Sequence, residues 1–260
     1  MTEDQFDGCS GLEVFGDAFS ALQIGEPMKL PELILRVCGV EWIQWVRVLY
    51  CYPDRITDEL IRTMAEEPKV CKYMDMPVQQ GSAKVLREMN RTVSAETILE
   101  VVRRIREGMP GAVVRTTMIA GFPGETEEDC GELCRLVEEA RFDRLGCFAY
   151  SQEEGTPAGS MEGQLDDGTK AERARIINEM QMQIMAEKNE EAVGKELLCV
   201  TEGYDRWGEC FFGRSEADAP DIDGKIFFTA ENKLAVGQFV KVRIEEPMDL
   251  DLIGVVTDEH

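Results

Sequence analysis

The chain has 260 residues, 43% hydrophobic and 30% charged, ordinary proportions for one large folded domain or two smaller ones. Its 51 acidic against 28 basic residues give a net charge of −23, which argues against direct nucleic-acid binding and favours a basic protein partner. The one histidine, His260, is the last residue, which excludes catalysis by a held imidazole; with neither a run of roughly 18 apolar residues nor a secretory signature in MTEDQFDGCSG, a cytoplasmic chain without a membrane span is expected.

Residues 1–26 show no clean hydrophobic period and stay unassigned. From residue 27 to 193 helix and strand signals alternate. Pro31 opens a helix with an apolar stripe of Leu30, Leu33, Ile34 and Val37, closed by Gly39. WIQWVRVLYCYP (42–53) reads as a strand ending at Pro53, and Thr57 caps a helix bearing Leu60, Ile61 and Met64. KYMDMPVQQ (72–80) is the next strand, and Ser82 caps a helix with Val85, Leu86 and Met89. Ser94 starts another, with Ile98, Val101, Val102 and Ile105 at i, i+3, i+4, i+7. VVRTTMIAGF is a strand, Leu133, Leu136, Val137 and Ala140 mark a helix, RLGCFAYS (144–151) is a strand, and a long helix runs from about 169 to 193. Alternation of this kind predicts parallel βα units, an α/β domain.

Beyond Gly194 the texture changes to five short strands: ELLCVTEGY, GECFFGR, KIFFTA, QFVKVRIEE and DLIGVVTDE. Val240, Val242 and Ile244 alternate with Phe239, Lys241 and Arg243, as in a strand with one buried face. Five such strands predict a small closed barrel over 194–260, of the oligonucleotide-binding kind. Trp207, Phe211, Phe212, Phe227 and Phe228 are expected to fill its core rather than stack on bases. Residues 195–260 hold 7 Lys and Arg against 15 Asp and Glu, a net of −8, so protein binding is expected, with EADAPDIDG (216–224) as an acidic contact loop.

Nine cysteines (9, 38, 51, 71, 130, 134, 147, 199 and 210) are expected to be thiols. Only Cys130 and Cys134 are close, with Val137 where a third ligand would stand, so spacing yields no metal site. Three strand exits share one design. RTTMIAGFPGETEEDC (115–130) turns through Gly121 and Gly124 into a helix whose Thr126 and Asp129 form a capping box; MPVQQGS (76–82) and YSQEEGTPA (150–158) repeat the corner. Together they outline the mouth of a barrel-like pocket for a neutral or cationic ligand, because the acids at the helix start disfavour anions.

LYCYPDRITDEL, MDMPVQQGSAKVLREMNR, RTTMIAGFPGETEED, ARFDRLGCFAYSQEEGTPAG and SEADAPDIDG closely resemble the radical S-adenosylmethionine methylthiotransferases, and within them the branch that modifies a ribosomal protein (RimO-type). The resemblance implies a partial (β/α) radical-SAM barrel followed by a TRAM domain. It implies methylthiolation of the β-carbon of an aspartate in a basic small-subunit ribosomal protein, with S-adenosylmethionine as methyl donor and radical source. By position, the family's cofactor wall falls on Gln79, Gly81, Ser82, Arg115, Ile119, Gly121 and Glu125. The family also holds iron–sulfur clusters, one through CxxxCxxC, a motif missing from these 260 residues. The expectation is therefore a C-terminal part (a truncated gene, a fragment or half of a split protein with a separate N-terminal half) that is inactive alone. The alternatives are a non-catalytic acidic protein-binding module and the transfer-RNA adenosine branch.

Overall fold

The computed structural model describes residues 12–14 and 28–259. The chain divides into two compact units, Met1–Gln181 and Met182–His260, with the division inside the long helix α6 (Asp167–Glu190). None of the described helices is long and apolar enough to cross a membrane.

In the first unit, strands β1 (Leu12–Val14), β2 (Val46–Val48), β3 (Val70–Asp75), β4 (Val113–Ala120) and β5 (Arg144–Ala149) form one sheet in sequential order. The strands β2 to β5 run parallel, and β1, within the stretch left unassigned by the sequence, pairs antiparallel with β2. Each parallel step is bridged by helix: α2 (Asp58–Glu66), then α3 (Ala83–Glu88) and α4 (Ala95–Gly108), then α5 (Glu127–Ala140). Right-handed crossovers that always advance in one direction put every helix on the same face of the sheet. Accordingly α1 (Leu30–Cys38) packs on α2, α2 on α4, and α4 on α5, one continuous layer. The β4 residues Val114, Thr116, Met118 and Ala120 are fully buried, whereas Arg115, Thr117 and Ile119 are half-buried on the opposite face.

Local chemistry explains most boundaries. Thr57, Ser94 and Thr126 each accept a hydrogen bond from the helix backbone three residues on. Lys69 Nζ donates to Cys38 O (2.9 Å) and Val40 O (2.8 Å), so a lysine satisfies carbonyls at and beyond the end of α1.

Two strands are shorter than expected. In 42–53 only Val46–Val48 is strand, because Tyr50 is left-handed (φ 59°) and gives its N–H to the Asp75 side chain. In 72–80 the ladder stops at Asp75: Pro77 has no N–H, Val78 N–H goes to the Thr116 hydroxyl, and Gln79 is left-handed (φ 73°).

The second unit is a closed barrel of order β10-β8-β7-β6-β9, built from β6 (Glu196–Asp205), β7 (Cys210–Ser215), β8 (Ile226–Thr229), β9 (Phe239–Met248) and β10 (Asp251–Glu259). Only β8 and β10 pair in parallel; the other ladders are antiparallel. The core comprises Cys199, Ile226, Phe228, Leu234, Val240, Val242, Ile244 and Leu252. Closure depends on glycine: a Cβ at Gly213 would lie 2.0 Å from Val200 O, where β6 crosses β7. The aromatic expectation holds for Phe228 alone. Phe211 packs half-buried against it, Phe212 and Phe227 pair half-buried at 6.3 Å, and Trp207 is 98% exposed at the β6–β7 turn. The loop 216–224 also differs from a simple acidic contact loop. Asp218 is buried against the Ser215 hydroxyl (2.8 Å), and Asp223 caps the Ala219 N–H (2.8 Å).

Gly213→Ala is expected to cost about 1–3 kcal/mol in urea unfolding through strand overpacking, while Trp207→Ala stays within about 0.5 kcal/mol of wild type. Equal midpoints for the two variants would contradict this packing.

Candidate functional site

The three corners meet at the carboxyl ends of β3, β4 and β5. After β3 the chain stays hydrogen-bonded to β4: Gln79 N–H donates to Thr117 O (2.9 Å) and Ile119 N–H to Gln79 O (2.8 Å). This bridges the half-buried, left-handed Gln79 to Met118 of β4. After β5, Tyr150 N–H donates to Ala120 O (2.8 Å), and the loop beyond accepts Gly124 N–H through Gly163 O (2.9 Å).

Beneath the rim lies a buried polar hub around Glu125, whose side chain is 0% exposed. Its Oε2 accepts Gln80 Nε2 (2.8 Å) and Gly121 N–H (3.0 Å), and its Oε1 pairs with Arg173 Nη1 of α6 (2.8 Å). A carboxylate buried with a cation and two further donors is compensated, whereas an uncompensated one is expelled or neutralised. Gly121 (φ 78°) packs against α6 as well, since a Cβ there would meet Lys170 Cγ at 2.6 Å.

A second hub is Asp129. It completes the capping box with Thr126 and accepts Ser82 Oγ (2.6 Å) and Lys84 Nζ (3.1 Å). Ser82 therefore starts α3 without a side-chain cap bond, its hydroxyl being spent on α5 instead. Burial pushes the Asp129 carboxyl up, but the hydrogen bonds from Ser82, Thr126 and Lys84 outweigh it and hold the group well below the usual carboxylate range. Gly81 lets the two helices approach: a Cβ there would sit 2.8 Å from Leu133 Cα.

The seven wall residues thus divide. Arg115 and Ile119 lie half-buried on one face of β4, the half-buried Gln79 is bridged to Met118, and Gly121, itself buried, forms the corner. Gly81, Ser82 and Glu125 are buried underneath, in the packing and polar contacts that hold the rim. Sequence reasoning missed Asp75, which is 2% exposed and accepts Arg115 Nη1 (2.8 Å) and Tyr50 N–H (3.0 Å). It also missed Phe148, 61% exposed beside Ile119. The period-two alternation along RLGCFAYS was the available signal for Phe148; nothing local announced the Asp75 contact 40 residues away.

Profile comparisons match residues 16–137 to the Radical SAM superfamily and residues 193–257 to the TRAM domain. The ribosomal protein uS12 methylthiotransferase RimO of Desulforamulus reducens is 41% identical over 245 residues, 94% of this chain and 53% of that protein. The protein of the same description from Geobacter sulfurreducens is 45% identical over 229 residues, 88% and 51% of the two chains. This chain is a RimO-type C-terminal part. It spans about half the length of the curated relatives it matches. Among solved structures, coproporphyrinogen III oxidase (HemN) from Escherichia coli, a radical SAM enzyme, superposes with a TM-score of 0.42 at 20% identity over 55% of this chain and 32% of its own, too loosely to weigh further.

Two groups associated with radical-SAM proteins fare differently against these residues. The exposed apolar Phe148 and half-buried Ile119, next to the polar Gln79 and Thr117, suit a ligand with a flat nucleoside part. An iron–sulfur cluster does not fit: among the described residues no three His, Cys, Asp or Glu side chains are placed to hold a metal. The described cysteines are thiols outside any disulfide, and Cys9 lies outside the described residues. Burial first, then nearby Glu125 and thiols, pushes Cys147 up to about 12, and burial with Cys134 and Glu125 pushes Cys130 up to about 11. Such thiols stay protonated and behave as small apolar groups.

Asp129→Asn is expected to lose about 1–3 kcal/mol of stability at neutral pH through the missing cap and hydrogen bonds. The folded value lies below the ordinary one near 3.9, so the wild-type advantage is complete above that value and fades as pH falls through it towards the folded value. Urea midpoints of both proteins from pH 7 down to acid should converge; a pH-independent gap would contradict the assignment.

Proposed function

We propose that this chain is the cofactor- and substrate-facing part of an enzyme that methylthiolates the β-carbon of an aspartate in a basic small-subunit ribosomal protein. The observation that carries the reading is 41–45% identity, over about nine-tenths of the chain, to proteins described as uS12 methylthiotransferases. In this reading Gln79, Arg115, Ile119 and Gly121 face S-adenosylmethionine, while Gly81, Ser82 and Glu125 fix them from below. The cofactor, when bound, supplies the methyl group and, through a cluster held by other residues, the radical.

The chain's own contribution is positional. The Glu125 hub fixes the exits of β3, β4 and β5 relative to one another, so that ligand groups meet a preformed rim. Gln79 pays the cost of a left-handed backbone, and its N–H and C=O are both bonded to β4, which fixes its place in the sheet. No phosphate-binding arrangement accompanies the α5 N-terminus, because its first turn holds Glu127, Glu128 and Asp129. The 260 residues contain no CxxxCxxC, so turnover is expected only when a cluster-binding partner half is supplied.

A second reading is a non-catalytic acidic protein-binding module, favoured by one observation: Trp207 is 98% exposed on a barrel whose sequence carries an excess of acids. Tryptophan is among the residue types enriched at interface hot spots. The charge of −23 disfavours the transfer-RNA branch.

Fusing the cluster-binding half of the Desulforamulus reducens protein to this chain should give a protein that transfers a methylthio group to the ribosomal protein, read as a mass increase on one aspartate-containing peptide. Binding of that protein without modification would favour the module, and modification of transfer RNA instead would move the chain to the other branch.

A further inference from the structure

Four residues other than glycine are left-handed among the described residues of the first unit. Asn90 and Arg141 follow the ends of α3 and α5, where a left-handed residue is the ordinary way to close a helix. Tyr50 (φ 59°) and Gln79 (φ 73°) instead stand in the exits of β2 and β3, which are neighbours in the parallel sheet. A bulky aromatic in this region is an outlier, and it persists only where its surroundings over-determine it.

The buried Asp75 does so. Its Oδ2 accepts Tyr50 N–H (3.0 Å), and its backbone O accepts Cys51 N–H (2.8 Å). Its Oδ1 accepts Arg115 Nη1 (2.8 Å), so one carboxylate holds both the Tyr50 backbone and a residue placed in the cofactor wall. Glycine would take this backbone without strain. A tyrosine here therefore has its reason in the side chain, which is exposed: Tyr50 is 49% accessible.

The chain's other four tyrosines have partners for their rings. Arg47 lies 4.3 Å over Tyr73, Arg91 5.1 Å over Tyr52 and Lys170 5.7 Å over Tyr150, while Phe211 meets Tyr204 at 5.0 Å. Among the described residues, no cation, ring or hydrogen-bonding group meets the Tyr50 side chain. A bare tyrosine face attracts a cation, and a chain of net charge −23 suits a basic partner.

We infer that Tyr50 is a specificity-determining residue whose ring receives an arginine or lysine side chain of the acceptor polypeptide, with Asp75 as the positioning residue that holds it in place. This deepens the methylthiotransferase reading and rests on it, since that reaction selects one aspartate within a basic protein.

The test is calorimetric titration of the full chain with a short peptide that has one aspartate among four arginines. Each arginine is replaced in turn by citrulline, which keeps the shape and loses the charge. Tyr50→Leu keeps the backbone strain and removes the ring. A double-mutant cycle between Tyr50→Leu and each citrulline cancels the general attraction of an acidic chain for a basic peptide. One position should show a coupling of about two- to fivefold in Kd, the worth of an exposed cation–π contact. Tyr50→Phe should keep that coupling. Tyr50→Gly should lose it while unfolding in urea at or above the wild-type midpoint.

No coupling at any position, or no binding of the peptide to the wild-type chain, would overturn the inference. A Tyr50→Gly midpoint below wild type would mean that the ring packs on the protein itself, and would overturn it too. Weaker S-adenosylmethionine binding by Tyr50→Leu, with the peptide affinities unmoved, would give the ring to the cofactor's sulfonium and count equally against it. A chain that shows the coupling but whose fusion makes no product keeps the role of Tyr50 and loses the methylthiotransferase reading. The reverse pair of results loses only Tyr50.

Discussion

The candidate site depends on a carboxylate that no ligand can reach. Glu125 is buried with both oxygens engaged, one by Gln80 and the Gly121 N–H, the other by Arg173. Those contacts join the turn after β3, the turn after β4 and the helix after β5. Removing one partner of such a buried pair costs about 3–5 kcal/mol, mostly through the charge left behind. The acids of GETEED therefore act inward as well as along the helix: Glu125 and Asp129 are hubs, while Glu127 and Glu128 complement the α5 dipole.

A second constraint is topological. Sequential parallel strands with one-way crossovers stack the helices α1 to α5 on one side of the sheet. On the opposite side the polar alternation of β4 and β5 emerges, with Arg115, Thr117 and Ile119 beside Arg144, Gly146 and Phe148. A face assembled from single residues of adjacent strands presents side chains in fixed tiers on rigid elements.

Much of this was legible in the sequence, and the failures have physical reasons. Helices α2, α4 and α5 were visible through caps at Thr57, Ser94 and Thr126, each of which bonds the backbone as its residue type predicts. The alternation of Val240, Val242 and Ile244 gave β9 and, with its neighbours, the barrel. Strand lengths were misjudged where long-range contacts override local pattern, as at Tyr50, whose N–H turns to Asp75 25 residues away. Ser82 looked like a helix cap because its type and position fit, yet Asp129 competes successfully for its hydroxyl. Trp207 was assigned to the core on hydrophobicity alone, although its place in a tight turn after Asp205 exposes it. The partnership of Glu125 with Arg173, 48 residues apart, has no local signature at all.

Hydrogen–deuterium exchange on the Glu125→Ala chain tests the central claim most directly, because it reads each strand exit separately. If Glu125 is the common tie, exchange should accelerate together at the amides of Gln79, Ile119, Gly121 and Tyr150, with those of β6 to β10 unchanged. Acceleration confined to Gly121, the one backbone amide bonded to the carboxylate, would mean the three corners hold their places independently and would contradict the account.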